Sequence, residues 1–274
     1  GACKIIYICH NKIMFYAFIT VLSLYLFATL FYLLRLIFGK PVFSALALRV
    51  TMVGALAQLG VLVFHFIQMP KPWMLTYLEY LQLSALVLAV LFIVLCFTKR
   101  FYGSGPFFIA FIDLFCIYSL TLENPFLENL PRAGSGYLSI HLICIFLSLS
   151  VFSIGLVVAL MFLLSERQLK HKQFDGIVSR FPSLAVLDSI HYKSLYVGFV
   201  LFTFAIITGA GYSKMMTGHY LANDSKQFVS IACWIFFAVL LNFRVRQGWQ
   251  GHKGVLLSLV GFVGMVFLFI LGLQ

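Results

Sequence analysis

Seven histidines are the residues of this chain best suited to bind a metal, and they lie singly along it. One nitrogen of an imidazole can bind a metal while a hydrogen bond to the other nitrogen holds the ring in place. Two histidines lie inside apolar segments, where a polar ring needs a partner. Two more lie beside basic residues, and one lies in a short polar stretch. These five candidate ligands are His65, His141, His191, His252 and His219.

The spacing of the side chains excludes several kinds of metal and catalytic site. The sequence contains no C-x-x-C, no H-E-x-x-H and no Ser-His-Asp arrangement that can be placed. Cys9 and His10 carry only the end of a c-type haem attachment pattern, because Cys3 lies six residues before Cys9. Single histidines on different segments suit axial ligation of haem, in which each iron takes one or two ligands from the protein. The pattern therefore favours haem b.

Long apolar segments must position these histidines. The 274 residues are 62% hydrophobic and 10% charged, whereas about 25% of residues are charged in a soluble domain. Eight apolar runs, separated by Gly and Pro, approach or exceed the roughly 20 residues that cross a bilayer. They are 13–37, 43–67, 73–97, 104–122, 137–164, 190–213, 227–243 and 254–273. The sequence predicts an all-α integral membrane protein, with about eight transmembrane helices in one bundle and a single domain over 1–274.

The Lys and Arg residues predict the orientation of this bundle. A net charge of +11 would suit a nucleic-acid partner, but the basic residues lie in short connections between apolar runs. Such a distribution is a topology signal, because cytoplasmic connections of membrane proteins are enriched in Lys and Arg. Most of the 19 fall near the first, third, fifth and seventh connections. We expect a multi-pass protein of the bacterial cytoplasmic membrane, with both termini on the outer side and no nucleic-acid partner.

This orientation places the candidate ligands in two layers. His65 and His141 lie about one turn from the outer ends of their spans, and His191 and His252 lie near the cytoplasmic face. Each pair predicts one haem b, two per chain, with the layers roughly 20 Å apart at 1.5 Å per helical residue. His219, in an outer loop, is either a solvent-accessible ligand or an ordinary loop residue. The cations placed to hold haem propionates near the inner pair are Lys193, Arg244 and Arg246.

Polar and small residues share a helix face with each outer histidine. On the second span they are Thr51, Gly54, Gln58, His65 and Gln68. On the fifth span they are His141, Cys144, Ser148 and Gly155. Such a face either admits a flat macrocycle or packs closely against another helix. Two carboxyl groups, Glu79 and Asp113, also fall inside predicted spans, where they have either a proton or quinol role or a structural hydrogen bond.

Residues of about 137–265 resemble the cytochrome c assembly family of haem-handling membrane proteins, the CcsA/ResC group. The resembling pieces are the fifth span, which begins at His141 and ends in Glu-Arg, and the segments LDSIHYKSLYVGFVLFTFAIITGAG, GHYLANDSKQF and NFRVRQGWQG. The resemblance implies an eight-helix membrane protein that binds or presents haem, with a cytochrome c assembly partner.

Three departures point to the shorter, HemX-type members of this family. The tryptophan-rich outer loop is replaced by residues 219–226, Asn242 stands where assembly members have a histidine, and no histidine follows the last span. The HemX-type resemblance implies a role linked to haem biosynthesis and to a haem-biosynthesis enzyme. The sequence leaves open transmembrane electron transfer by an oxidoreductase with a quinone, haem transport, and control of glutamyl-tRNA reductase levels through cytoplasmic loops such as 165–182.

Overall fold

The computed structural model describes residues 2–68, 77–99, 101–121, 136–171, 181–221, 225–248 and 251–272, and all regular structure in these ranges is helical. The fold class is therefore confirmed as all-α. The α-helices in chain order are α1 (Ala2–Phe38), α2 (Pro41–Gln68), α3 (Tyr77–Lys99), α4 (Gly105–Thr121), α5 (Gly136–Lys170), α6 (Leu184–Thr217), α7 (Ser225–Arg246) and α8 (His252–Gly272). A 3-10 turn, Phe101–Ser104, precedes α4.

Seven of these helical segments are long and apolar enough to cross a membrane, so the chain is a multi-pass membrane protein. The eighth, α8, is counted as a shorter apolar helix over His252–Phe267. The eighth span and the outer position of the termini therefore stay predictions. The predicted start of the third span, at residue 73, lies outside the described residues.

Three helices extend well beyond their predicted apolar spans. α1 begins at Ala2 rather than at residue 13, α5 continues to Lys170, and α6 begins at Leu184 rather than at residue 190. Backbone hydrogen bonding continues where polar helix formers follow an apolar run, so hydropathy underestimates helix length. From the sequence, Asp188 or Ser189 could cap a helix that begins near residue 190. This prediction is wrong, because α6 begins at Leu184 and its N-cap position is Ser183.

Glycines at two helix ends have the backbone conformation that stops a helix. Gly39 has φ 72° and donates its N–H to the carbonyl oxygen of Arg35, and Pro41 then opens α2. Gly218 has φ 78° and donates in the same way to Lys214. Left-handed φ values carry little steric penalty in glycine, which explains these stops.

The chain forms two compact units, Gly1–Arg132 (unit 1) and Ala133–Gln274 (unit 2). In unit 1, α1 packs against α2 and α4, and α3 packs against α2 and α4. Its core includes Phe92 stacked on Phe108, with ring centroids 4.9 Å apart. In unit 2, α5 packs against α6 and α8, and α7 packs against α6 and α8. Phe152 stacks on Phe237 there at 4.7 Å. The single domain over 1–274 stays a prediction.

Candidate functional site

His141 lies near the start of α5 and is held against α6. Its Nδ1 lies 2.7 Å from the carbonyl oxygen of Ala205. A carbonyl oxygen only accepts hydrogen bonds, so Nδ1 carries the hydrogen, and in the neutral ring Nε2 carries the lone pair. Metal-binding histidines have this arrangement, in which the second nitrogen donates to a carbonyl or a carboxylate. The contact therefore prepares His141 to bind a metal through Nε2.

A glycine on α6 makes room for this ring. A Cβ atom at Gly209 would lie 2.6 Å from Cε1 of His141, well inside van der Waals contact. Further along the same interface, Ser148 donates to the carbonyl oxygen of Gly198 at 3.2 Å. A Cβ at Gly155 would lie 3.5 Å from Cβ of Ser194. The small and polar face predicted on the fifth span is thus used, in unit 2, for close packing of α5 against α6.

His252 is the first residue of α8, and its side chain is 48% exposed. Its Nδ1 lies 2.5 Å from Oε2 of Glu166 on α5, and Glu166 also pairs with Lys170 at 2.9 Å. The carboxylate accepts the hydrogen of Nδ1, which leaves the lone pair on Nε2 in the neutral ring. His252 therefore has the same hydrogen-bond arrangement as His141, with a carboxylate in place of a carbonyl group.

His191 lies on α6 and is fully buried, and both of its ring nitrogens have protein partners. Nε2 lies 2.8 Å from Oγ of Ser258, and the Ser258 hydroxyl donates to the carbonyl oxygen of Val255 at 2.6 Å. Ser258 can therefore only accept from His191, so Nε2 carries the hydrogen. Nδ1 then accepts from Nη1 of Arg244 at 3.4 Å. In this arrangement the ring has no lone pair free for a metal.

Arg244, one of the three predicted propionate-binding cations, is buried beside His191 and paired with Asp188. Nη2 of Arg244 lies 2.6 Å from Oδ2 of Asp188 and 3.1 Å from its carbonyl oxygen. The other carboxylate oxygen of Asp188, Oδ1, accepts the N–H of Gly251 at 3.0 Å. Lys193 and Arg246 are exposed. Asp188 thus ties the end of α7 and the residue before α8 to α6.

In unit 1, His65 of α2 forms a buried ion pair with Glu79 of α3, through Nε2 and Oε1. The polar face predicted on the second span is buried at four positions, while its fifth member, Gln68, is exposed. The buried members are Thr51, Gly54, Gln58 and His65.

His219 lies in the exposed segment that follows α6. Its carbonyl oxygen accepts hydrogen bonds from the hydroxyls of Ser213, at 3.1 Å, and Thr217, at 3.2 Å. The next residue, Tyr220, bonds through its hydroxyl to Nζ of Lys214 at 2.8 Å. The backbone at His219 is therefore anchored to the end of α6, while its side chain is exposed.

The two predicted histidine pairs stay predictions. His65 belongs to unit 1 and His141 to unit 2, and each unit is described by itself. Within unit 2, His191 and His252 have separate partners, Ser258 with Arg244 and Glu166. Among the residues that the structure describes, no three His, Cys, Asp or Glu side chains come together as a metal cage.

The partners that orient the histidines were missed by sequence reasoning. Glu166 and His252 are 86 positions apart, and His141 and Ala205 are 64 apart. A carbonyl oxygen carries no side-chain signal at all. The one available signal was the carboxylate of Glu166 near the end of a span, which the family resemblance had already singled out.

Comparison with known proteins identifies one family. Residues 5–273 match the family described as Cytochrome C assembly protein. The proteins named Cytochrome c biogenesis protein CcsA are relatives: that of Chlamydomonas reinhardtii is 26% identical over 162 residues, 58% of this chain and 44% of the relative. The Guillardia theta protein is 29% identical over 174 residues, 56% of this chain and 57% of the relative. That of Prochlorococcus marinus strain AS9601 is 39% identical over 77 residues, 28% of this chain and 25% of the relative. The matches thus span about half or less of these relatives' length.

Proposed function

Because the chain belongs to the cytochrome c assembly protein family, we propose that it is a haem-handling membrane protein that acts in cytochrome c assembly or haem biosynthesis. The observation that carries this proposal is the shared arrangement of His141 and His252. In both rings Nδ1 donates to a fixed acceptor, Ala205 or Glu166, so Nε2 is the nitrogen left for iron. The ligand is a b-type haem, held without a covalent bond to the chain.

His141 and His252 fit haem iron better than His65 and His191 do. A bound haem would supply an iron that accepts an imidazole nitrogen as a ligand. The Ala205 carbonyl and the Glu166 carboxylate orient the first two rings, and each acceptor makes its ring a stronger ligand. Ligation by His65 or His191 would need Nε2 to leave Glu79 or Ser258. Arg244 is paired with Asp188, so the predicted cations that remain for haem propionates are Lys193 and Arg246.

The distance along α5 favours a separate haem at each of the two histidines. His141 and Glu166 are 25 residues apart on this helix, which is about 37 Å at 1.5 Å per residue. Such a distance exceeds the hydrocarbon thickness, so the two sites belong to opposite membrane faces. Electron tunnelling falls exponentially with distance, so this spacing favours haem handling over direct electron transfer between two haems.

The finer place of the protein in the family follows from its sequence. The departures at residues 219–226 and Asn242 favour a HemX-type role near haem biosynthesis, in a bacterial cytoplasmic membrane. A regulatory role through residues 165–182 has no observation in its favour, since 172–180 lie outside the described residues.

A pyridine haemochrome assay on the purified protein tests this function. We expect about two haems per chain, and the loss of about one in each of His141→Ala and His252→Ala. His171→Ala is the matched control, because His171 is an exposed histidine just beyond α5 and should keep the full haem content. A protein without a Soret band after haem supplementation, or two variants that bind haem like the control, would contradict the proposal.

A further inference from the structure

Unit 1 buries a line of polar side chains that the proposed haem sites do not use. The hydroxyl of Tyr25 on α1 donates to Oε1 of Gln58 on α2 at 2.8 Å. Nε2 of Gln58 donates to Oε1 of Gln82 on α3 at 2.6 Å, and Nε2 of Gln82 donates to Oγ of Ser119 on α4 at 2.7 Å. All four side chains are fully buried. These bonds join the four helices of the unit through one polar network.

An ionisable group lies at each end of this network. Glu79, paired with His65, is one helical turn from Gln82 on α3, a rise of about 4.5 Å. Asp113 lies three residues before Cys116 on α4, and residues three positions apart are neighbours on a helix surface. Cys116 contacts Gln58 and Gln82 through its sulfur. Titratable side chains therefore lie at both ends of a buried row of hydrogen-bonding groups.

Asp113 is the incompletely bonded member of this row. Its residue is 6% exposed, and Oδ2 accepts the hydroxyl of Thr29 on α1 at 2.6 Å. Its other oxygen, Oδ1, is buried and has no hydrogen-bond partner in the described part of the chain. The titratable groups on which Asp113 acts electrostatically are Tyr25 and Cys116, neither of which is a cation. No ion pair among the described residues includes Asp113.

These surroundings disfavour a charged carboxylate. An ionised oxygen that is buried without a partner in a membrane-spanning unit loses its hydration and gains nothing in return. Protonation at Oδ1 removes the charge and leaves the Thr29 bond at Oδ2 in place. A buried carboxylate with a hydrogen-bond donor at each oxygen, or with a cation beside it, could stay ionised without this protonation.

We propose that Asp113 is a proton-binding site inside unit 1. One O–H bond forms at Oδ1, a hydronium ion or a neighbouring acid gives up the proton, and the carboxylate becomes a neutral carboxylic acid. The polar row through Gln82 and Gln58 links this site to the His65–Glu79 pair. Asp113 exchanges its proton with the solution, which distinguishes a binding site from a carboxyl group with a fixed structural bond.

Infrared difference spectroscopy of the purified full chain, between about pH 5 and about pH 9, tests this site. We expect the carbonyl band of a neutral carboxylic acid at low and neutral pH, fading reversibly as the pH rises. Labelling the aspartate carboxyls with carbon-13 should move the band, and Asp113→Asn should abolish it. Glu79→Gln is the matched control and should leave the aspartate band in place.

Thr29→Val gives a second measurement that does not depend on the folding of Asp113→Asn. Loss of the hydroxyl donor at Oδ2 should shift the labelled band to higher frequency without removing it. An aspartate band that is absent, does not respond to pH, persists in Asp113→Asn, or is unshifted in Thr29→Val overturns the proposal.

Discussion

Among the residues that the structure describes, each unit has one histidine–glutamate pair, and the two pairs differ in their exposure. In unit 1, the side chains of His65 and Glu79 are 10% and 5% exposed. In unit 2, those of His252 and Glu166 are 48% and 18% exposed. The first pair joins neighbouring helices α2 and α3, while the second joins the end of α5 to the start of α8. The same two residue types therefore form a buried pair in unit 1 and a partly solvent-exposed pair in unit 2.

Exposure determines what each pair contributes. Charges of a buried pair are costly to separate, because each one left alone lacks both water and partner. An exposed pair contributes little to stability, since water replaces either partner. The half-buried carboxylate of Glu166 can still orient an imidazole toward a ligand. We conclude that unit 1 depends on keeping His65 and Glu79 paired, whereas Glu166 chiefly orients the His252 ring.

Removing the carboxylate from each pair tests this contrast most strongly. Glu79→Ala should lower the free energy of unfolding by about 3–5 kcal/mol, because it removes the carboxylate that pairs with the buried His65. The matched variant Glu166→Ala should cost at most about 1 kcal/mol. Denaturant unfolding in detergent measures both. Equal losses of unfolding free energy in the two variants would mean that exposure does not determine how much each pair contributes to stability.

Glu166→Gln tests whether Glu166 orients His252 for haem binding. The amide keeps the size of the side chain but accepts the hydrogen of His252 Nδ1 more weakly, so haem affinity should fall about 10–100-fold. Haem titration followed at the Soret band measures the change, which corresponds to about 1.4–2.7 kcal/mol. Glu79→Gln is the control. If haem affinity fell more in Glu79→Gln than in Glu166→Gln, the His65–Glu79 pair rather than the His252–Glu166 pair would be the one that orients a haem ligand.

The smallest effect is expected at two helix glycines, one in each unit. Alanine at Gly209 meets the His141 ring, at a strain of about 1–3 kcal/mol that a gain of about 1 kcal/mol in helix propensity partly offsets. A Cβ at Gly60 meets nothing within 4 Å, so Gly60→Ala should be neutral or slightly stabilising. Thermal unfolding gives the stabilities, and haem content should fall in Gly209→Ala alone. A loss of haem in Gly60→Ala as well would show that the loss in Gly209→Ala does not come from contact with His141.

The helices could be predicted from the sequence because membrane spans are long and apolar. The polar face of α2 was also predictable, since Thr51, Gln58 and His65 recur at helical spacing. Gln68 is exposed although it continues this pattern. The pattern gives the angular position of a residue, but burial at the end of a helix depends on what packs there.

The partners of the histidines could not be predicted, because hydropathy does not determine how each helix is rotated. His191 and His252 have similar sequence surroundings, so both were predicted as haem ligands. In the structure their environments differ. His191 is bonded at both nitrogens, whereas His252 is exposed and bonded at Nδ1 by Glu166. Their positions along α6 and α8, and the rotation of these two helices, distinguish them. The same limit applies to Asp188, predicted as a cap of α6 and found bonded to Arg244 and Gly251.

The double role of Asp188 has a consequence for the order in which the chain is made. Its two partners, Arg244 and Gly251, follow it by 56 and 63 positions. A ribosome that adds about 5–20 residues per second needs about 3–13 seconds to supply both. During that interval Asp188 lacks both partners, so the polar contacts that join α6 to α7 and to the start of α8 form only after residue 251 is made. The last helix hairpin therefore completes the packing of a helix that was synthesised before it.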